Sequence, residues 1–231
     1  KAAIDHLIKR IKLSKKVSKI ILCTTKNKED DKIKKIAKNN KINFFRGPSE
    51  DVLKRIMMSL KNEKNIGAVL RITGDDILVD PDYLDKSIQS HQKLNSDYTH
   101  SKKLPSGTEA EVFSYNTLKL IYNLAENTSG SEYLTNYIFD NKDFFKINET
   151  FIKPKHALGF RLTIDTKQDY QLVKNLLSYM KKKGKEYNYT IDDIAYFFRK
   201  FPKYKNINKG IKQKKMPVIF NSKISWQKQI R

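Results

Sequence analysis

Ala68-Val-Leu-Arg-Ile-Thr-Gly-Asp75-Asp76 and Phe160-Arg-Leu-Thr-Ile-Asp165-Thr166 each end an apolar, β-branched run on an aspartate. Runs of four to eight such residues read as buried strands of a mostly parallel sheet. In sheets of that kind, ligands bind beyond the carboxyl ends of the strands. Two carboxylates brought there from distant parts of the chain suit one hard divalent cation beside a phosphate group. The pair therefore points to chemistry on a nucleotide.

Outward from these runs, strands and helices alternate. Apolar Ile4, Leu7, Ile8 and Ile11 predict a helix over 3–13, and 17–24 reads as a strand. A surface helix is expected within 27–40, a short strand over 42–45, and a helix over 50–62 with Ser49 as its N-cap. The strand 67–73 follows, and Pro81 opens the next helix from its first turn. Further on, 110–114 and 144–148 read as strands, with helices near 115–125 and 131–140. A second buried strand is expected over 158–164, then helices over 166–183 and 191–200. The run Lys181-Lys-Lys-Gly-Lys185 reads as a basic helix end with a glycine cap. This alternation predicts an α/β fold with one mixed, mostly parallel sheet between helical layers. The expected organisation is one domain over 1–208 and a basic tail over 209–231.

A chain of 231 residues can bury a sizeable core, and 12 Tyr, 12 Phe and an apolar fraction of 39% exclude a disordered chain. The single Cys23 rules out a disulfide framework, which fits a reducing, cytoplasmic compartment. No apolar segment approaches the ~18 residues of a membrane span. The net charge of +22 is carried almost wholly by lysines spread along every helical segment, so it reads as a solvated surface favouring anionic substrates and not as a specific nucleic-acid stripe. The glycines at 47, 67, 74, 107, 130, 159, 184 and 210 compose neither a Walker loop nor a dinucleotide fingerprint. His6, His91, His100 and His156 lack metal-ligand spacing, and Trp226 reads as a local anchor in the tail.

Three stretches carry the candidate chemistry. In Thr73-Gly74-Asp75-Asp76, Gly74 permits close approach of the backbone or a positive φ, and Asp75 leaves the strand at the sheet edge; an ordinary acidic turn is the alternative. Asp165 also reads as the cap of the helix behind it. The corner Phe45-Arg46-Gly47 suits an anion contact, and Glu109 and Glu111 share a side if the chain is extended.

The order of these pieces resembles the cytidylyltransferase family that activates acidic sugars such as 3-deoxy-manno-octulosonate and neuraminate, its spore-coat polysaccharide branch above all. The resemblance is carried by Thr24-Thr25 with Asp30-Asp31, Phe45-Arg46-Gly47 to Arg55, Arg71-Ile-Thr-Gly-Asp75, Pro105-Ser-Gly107 to Ser114, Glu132 to Ile138, and Arg161 to Asp169. It implies a nucleotide-diphospho-sugar-transferase-like, three-layer fold that transfers CMP from CTP to a sugar acid. It implies Asp75 and Asp165 as catalytic ligands of Mg²⁺, with Thr24, Arg46, Arg71 and Gly74 on the nucleotide and Gly107, Glu109 and Glu111 on the sugar. A homodimer through the segment near 109–113 is implied as well. The family's basic glycine loop, Ala-Arg-x-Gly-Ser-x-Arg-Leu-Pro-x-Lys in type, does not occur in the chain, and the resemblance implies that this loop and a first strand precede residue 1. Asp76-Ile77 also replaces the family's usual Cys-Pro or Glu-Pro, and Tyr133 stands where a His is common. Two other readings predict different sites: a glycosyltransferase of the same fold wants Asp-x-Asp after the central strand, and an anion-binding module predicts salt-sensitive affinity indifferent to Asp75.

Overall fold

The computed structural model describes residues 2–211 and 222–224. The predicted Trp226 anchor and most of the tail lie outside these residues. Helix α1 (Ala3–Ile11) buries Leu7, Ile8 and Ile11 along one face. Its Arg10 is fully buried, donating from Nε to Val79 O at 2.8 Å and from Nη1 to Tyr187 O and Tyr189 O at 2.5 and 3.0 Å. The Arg10 guanidinium also lies 3.7 Å from the Tyr189 ring centroid, so α1 is bolted to two distant loops by one side chain.

Strand β1 (Ile21–Thr25), helix α2 (Asp31–Asn39) and strand β2 (Asn43–Gly47) form a parallel unit in register from Ile21 opposite Asn43 to Thr25 opposite Gly47. Helix α3 (Val52–Ser59) follows. Its N-cap is Asp51, which accepts from Lys54 N at 2.8 Å, and not the expected Ser49. Asp51 wins because its carboxylate also receives Thr128 Oγ1 at 2.5 Å, tying the cap to a remote loop.

The second sheet holds β3 (Val69–Arg71), then, after helix α4 (Pro81–Leu94), β4 (Tyr98–His100), β5 (Glu111–Phe113) and, after helices α5 (Tyr115–Leu124) and α6 (Thr135–Phe139), β6 (Ile147–Glu149). The order is β3-β5-β4-β6, with β5 antiparallel to both neighbours and β4 parallel to β6. The α/β class and mixed pairing of the sequence reading hold. The single sheet is resolved into two pieces among the described residues, and the expected strand 67–73 forms ladder pairs only over 69–71. The expected strand 158–164 is a correction as well: only Arg161 bridges, in parallel to Ser106. Phe160 O and Leu162 N bond to Ser106 and Ile164 N to Asp75 O, which is what shapes the site.

Val69 packs into one apolar cluster with Leu53, Phe113, Leu118, Ile121 and Tyr137, while Leu70 faces the other, with Leu7, Leu78, Leu162, Leu172, Ile194 and Phe197. Alternate side chains of β3 thus enter cores on opposite faces, which is the three-layer arrangement. Helices α7 (Lys167–Lys182) and α8 (Ile191–Lys200) close the second core; both begin with a capping box, at Thr166–Asp169 and Thr190–Asp193. Gly184 caps α7 at φ +70°, with its N–H and that of Lys185 returning to Lys181 O and Met180 O, as the basic run predicts. Among the described residues no helix is long and apolar enough to cross a membrane.

Candidate active site

Asp75 follows β3 in a tight turn. Asp76 N donates to Thr73 O at 3.2 Å, and Thr73 Oγ1 donates to Asp76 Oδ2 at 2.5 Å. Gly74 has no positive φ; a Cβ there would meet the Ile4 side chain at 3.4 Å or more, an ordinary van der Waals contact. The positive φ belongs instead to Gly107, at +92°, where a Cβ would stand 2.5 Å from Leu162 C and Thr163 N. Only glycine lets 105–108 press against 160–163, and there Ser106 N donates to Phe160 O at 3.0 Å and Leu162 N to Ser106 O at 2.7 Å. Gly107 is buried in this seam, which is a structural position under the site.

The same seam carries 163–165 to the turn. Ile164 N donates to Asp75 O at 3.2 Å, and Thr163 Oγ1 donates to Asp75 Oδ2 at 3.0 Å. Asp75 and the segment ending in Asp165 are thereby neighbours across 88 residues of chain. Asp165 is half-exposed and held by Arg161 Nη2; Arg161 also grips the buried Asp169 at 3.3 Å, and these carboxylates keep its guanidinium firmly charged despite the opposing effect of burial. Asp165 does not cap α7. That task falls to Thr166, and Asp169 returns from the third helical position to the Thr166 N–H at 3.0 Å.

Beside the turn lies a cavity of about 160 Å³, lined by Arg71, Asp76, Tyr98, Lys102, Glu109 and Glu111 among others. Arg71 pairs with Glu111 at 2.5 Å, as their register opposite one another on β3 and β5 requires, and reaches Glu132 O at 2.9 Å. Tyr98, fully buried, donates to Glu111 Oε1 at 2.9 Å; burial and this carboxylate push its phenol far up, so it stays a donor. Burial, with the Asp75 charge adding, raises Asp76 to about 6, and burial with the Asp76 charge adding raises Glu109 to about 8.

Thr24 and Arg46 sit at the ends of β1 and β2. Thr24 Oγ1 donates to Asp30 at 2.7 Å, and Arg46 donates to Thr25 O at 2.8 Å and pairs with Asp31 at 2.6 Å. Arg46 thus fastens the loop after β1, and no hydrogen bond or ion pair among the described residues joins it or Thr24 to the Asp75 turn. Of the residues predicted from sequence, the structure gathers Asp75 with the 163–165 segment, and Arg71, Glu109 and Glu111 around the adjoining cavity. Asp76, Tyr98 and Lys102 were missed as site residues. Asp76 is visible in the sequence only as a departure from a familiar dipeptide, and Tyr98 sits in β4, a three-residue strand with no pattern to announce it.

The turn at the carboxyl end of β3 thus lies against the 163–165 segment and beside a polar cavity, on a three-layer α/β fold. The chain belongs to the Cytidylyltransferase family, whose profile matches residues 1–223. It is similar to the uncharacterized protein MJ1063 of Methanocaldococcus jannaschii, 35% identical over 214 residues that cover 91% of this chain and 85% of that one. The spore coat polysaccharide biosynthesis protein SpsF of Bacillus subtilis is 32% identical over 183 residues, or 75% and 74% of the two chains. Among solved structures, a cytidylyltransferase from Leptospira borgpetersenii superposes with a TM-score of 0.80 at 26% identity, over 92% of this chain and 88% of its own.

Proposed function

We propose that this chain transfers the cytidylyl group of CTP to a hydroxyl of a sugar acid for surface-polysaccharide synthesis. The acceptor oxygen attacks the α-phosphorus, the bond to the β-phosphoryl oxygen breaks, and pyrophosphate leaves. The observation that carries this reading is the seam that holds Asp75 beside 163–165, in the turn whose Thr73 and Asp76 line the polar cavity. Membership of the cytidylyltransferase family supports the cytidylyl donor, and similarity to SpsF supports the polysaccharide role.

The donor set fits Mg²⁺. Asp75 engages one carboxylate oxygen with Thr163, and Asp165 one with Arg161, so each has a second oxygen to offer. Among the described residues no cluster of three or more His, Cys, Asp or Glu could hold a metal, and Mg²⁺ is characteristically held by one or two carboxylates together with substrate phosphates. When bound, the ion would neutralise the triphosphate and polarise the α-phosphorus. The chain itself contributes position: Thr163 orients Asp75, Arg161 and Asp169 orient Asp165, and Arg71, fixed by Glu111, supplies positive charge beside the turn. The cytoplasm and a homodimer complete the reading, the former supported by a lone reduced cysteine and the latter by the family resemblance.

Asp75→Asn and Asp165→Asn test the site. Each is expected to lower Mg²⁺-dependent CTP affinity by at least about tenfold while leaving the fold cooperative. CTP binding equal to the parent's in either variant rules out the two-aspartate site.

A further inference from the structure

Lysines are spread along the whole chain, but the acids that could answer them are not. Residues 170–185 contain no Asp or Glu, and none follows Asp193 to the end of the sequence. The fold brings these two stretches together. Tyr179, in the last turn of α7, packs against Phe197 of α8 and against Phe201 just beyond it, with centroids 5.5 Å apart in both pairs, and Phe201 lies 6.0 Å from Tyr204. Three ammonium groups stand around these rings. Lys183 Nζ is 6.0 Å from the Tyr179 centroid, Lys200 Nζ is 5.9 Å from Tyr179 and 5.7 Å from Phe201, and Lys203 Nζ is 5.5 Å from Tyr204. All three are exposed, as are Lys181, Lys182 and Arg199 next to them in sequence. Asp193 is taken by Lys185 at 2.6 Å, and among the described residues none of these six cations forms an ion pair. Complementing the helix dipoles explains the cations in the last turns of α7 and α8. It does not explain the lack of acids, for α2 and the turn before it mix their lysines with Glu29, Asp30 and Asp31.

We propose that this face docks the protein on an anionic phospholipid surface, whose phosphodiester headgroups supply the missing counter-charge. Lysine stems that lie over apolar rings and hold their ammonium groups in water suit a headgroup layer. A basic cluster of this size is what an anionic leaflet attracts, and no membrane-spanning segment is needed. The observations favour lipid over nucleic acid. Base stacking needs open ring faces, whereas Phe197 is buried and Tyr179, Phe201 and Tyr204 are half-buried against one another. Apart from Arg199 the cations are lysines, point charges without the fork that fixes a phosphate in one geometry. The proposal does not depend on the cytidylyl-transfer reading.

The test mixes the full chain with vesicles of phosphatidylglycerol and phosphatidylcholine in equal parts, or of phosphatidylcholine alone, and measures the bound fraction by sedimentation. Binding is expected to the first only, and to fade as salt is raised. Each lysine held at an anionic surface is worth about fivefold in partition, so the triple variant Lys183→Gln, Lys200→Gln, Lys203→Gln should bind about a hundredfold more weakly. The matched variant Lys34→Gln, Lys35→Gln, Lys38→Gln removes three exposed lysines of α2 and should lose less than about fivefold. Equal losses in the two variants, no binding to the anionic vesicles, or equal binding to both kinds of vesicle would each overturn the proposal. So would tighter binding to single-stranded RNA than to the vesicles at the same phosphate concentration. Acetic anhydride labelling of the parent decides the matter even where a variant folds poorly: on anionic vesicles Lys183, Lys200 and Lys203 should be protected and the α2 lysines not, and uniform labelling contradicts the docking face.

Discussion

Replacing Gly107 by Ala should be among the most destabilising single-methyl changes available to this chain. Its φ of +92° already costs an L-residue about 1–2 kcal/mol. The added Cβ would stand 2.5 Å from Leu162 C and Thr163 N and 2.7 Å from Leu162 O, where carbon contacts want about 3.5–4 Å. These are backbone atoms, so relief requires the 160–163 segment to retreat by about 1 Å, which stretches the 2.7 Å bond from Leu162 N to Ser106 O. Strain, overpacking and a weakened hydrogen bond sum to about 3–6 kcal/mol, against a domain stability of about 5–15 kcal/mol. Gly159→Ala is the matched control: its φ is +62°, but nothing lies within 4 Å of the new methyl, so only the backbone penalty applies. Urea unfolding of both variants isolates the contact. The same retreat moves Thr163 off Asp75, so Gly107→Ala should also lose CTP binding at temperatures where it is still folded. A Gly107→Ala stability within 1 kcal/mol of Gly159→Ala would refute the seam as described.

Three other perturbations follow from the structure. Glu109 binds its proton more tightly folded than unfolded, its value rising from 4.5 to about 8, so its contribution to stability falls as pH rises between those values and is flat above. Glu109→Gln should remove that slope and, in urea melts at about pH 9, be more stable than the parent by on the order of 3 kcal/mol; a parent-like slope in the variant contradicts the burial argument. Arg10→Ala deletes three hydrogen bonds, two of them buried, and the contact with Tyr189, and should cost about 3–5 kcal/mol by chemical denaturation; a loss below about 1 kcal/mol would mean that α1 is held by its apolar face alone. Thr166→Ala removes one half of the α7 capping box and should lower stability by about 1 kcal/mol, with no change expected if Asp165 were the cap.

How much was legible in the sequence follows the range of the interactions. Cap and period are local signals, so the start of Pro81–Leu94 and both ends of Lys167–Lys182 could be read closely. Asp75 and Asp165 stood out because each ends an apolar run. The strand 158–164 did not form a ladder because its groups are spent on Ser106 and Asp75, long-range partners that no local pattern encodes. The same is true of Arg46, whose Arg-Gly corner reads as an anion contact while its guanidinium is occupied by Thr25 O and Asp31. Gly107 shows the converse: glycine was noticed, but its reason, the approach of another backbone, exists only in three dimensions.

The central claim is that Asp75 and Asp165 serve Mg²⁺-dependent chemistry on CTP. The most direct test is thermal stabilisation of the full chain by each of the four nucleoside triphosphates, with and without Mg²⁺. A shift that is largest for CTP, requires Mg²⁺ and is lost in Asp75→Asn is the predicted result. Equal, metal-independent shifts with all four nucleotides that fade as salt is raised would contradict it, and would assign the binding to the +22 surface charge.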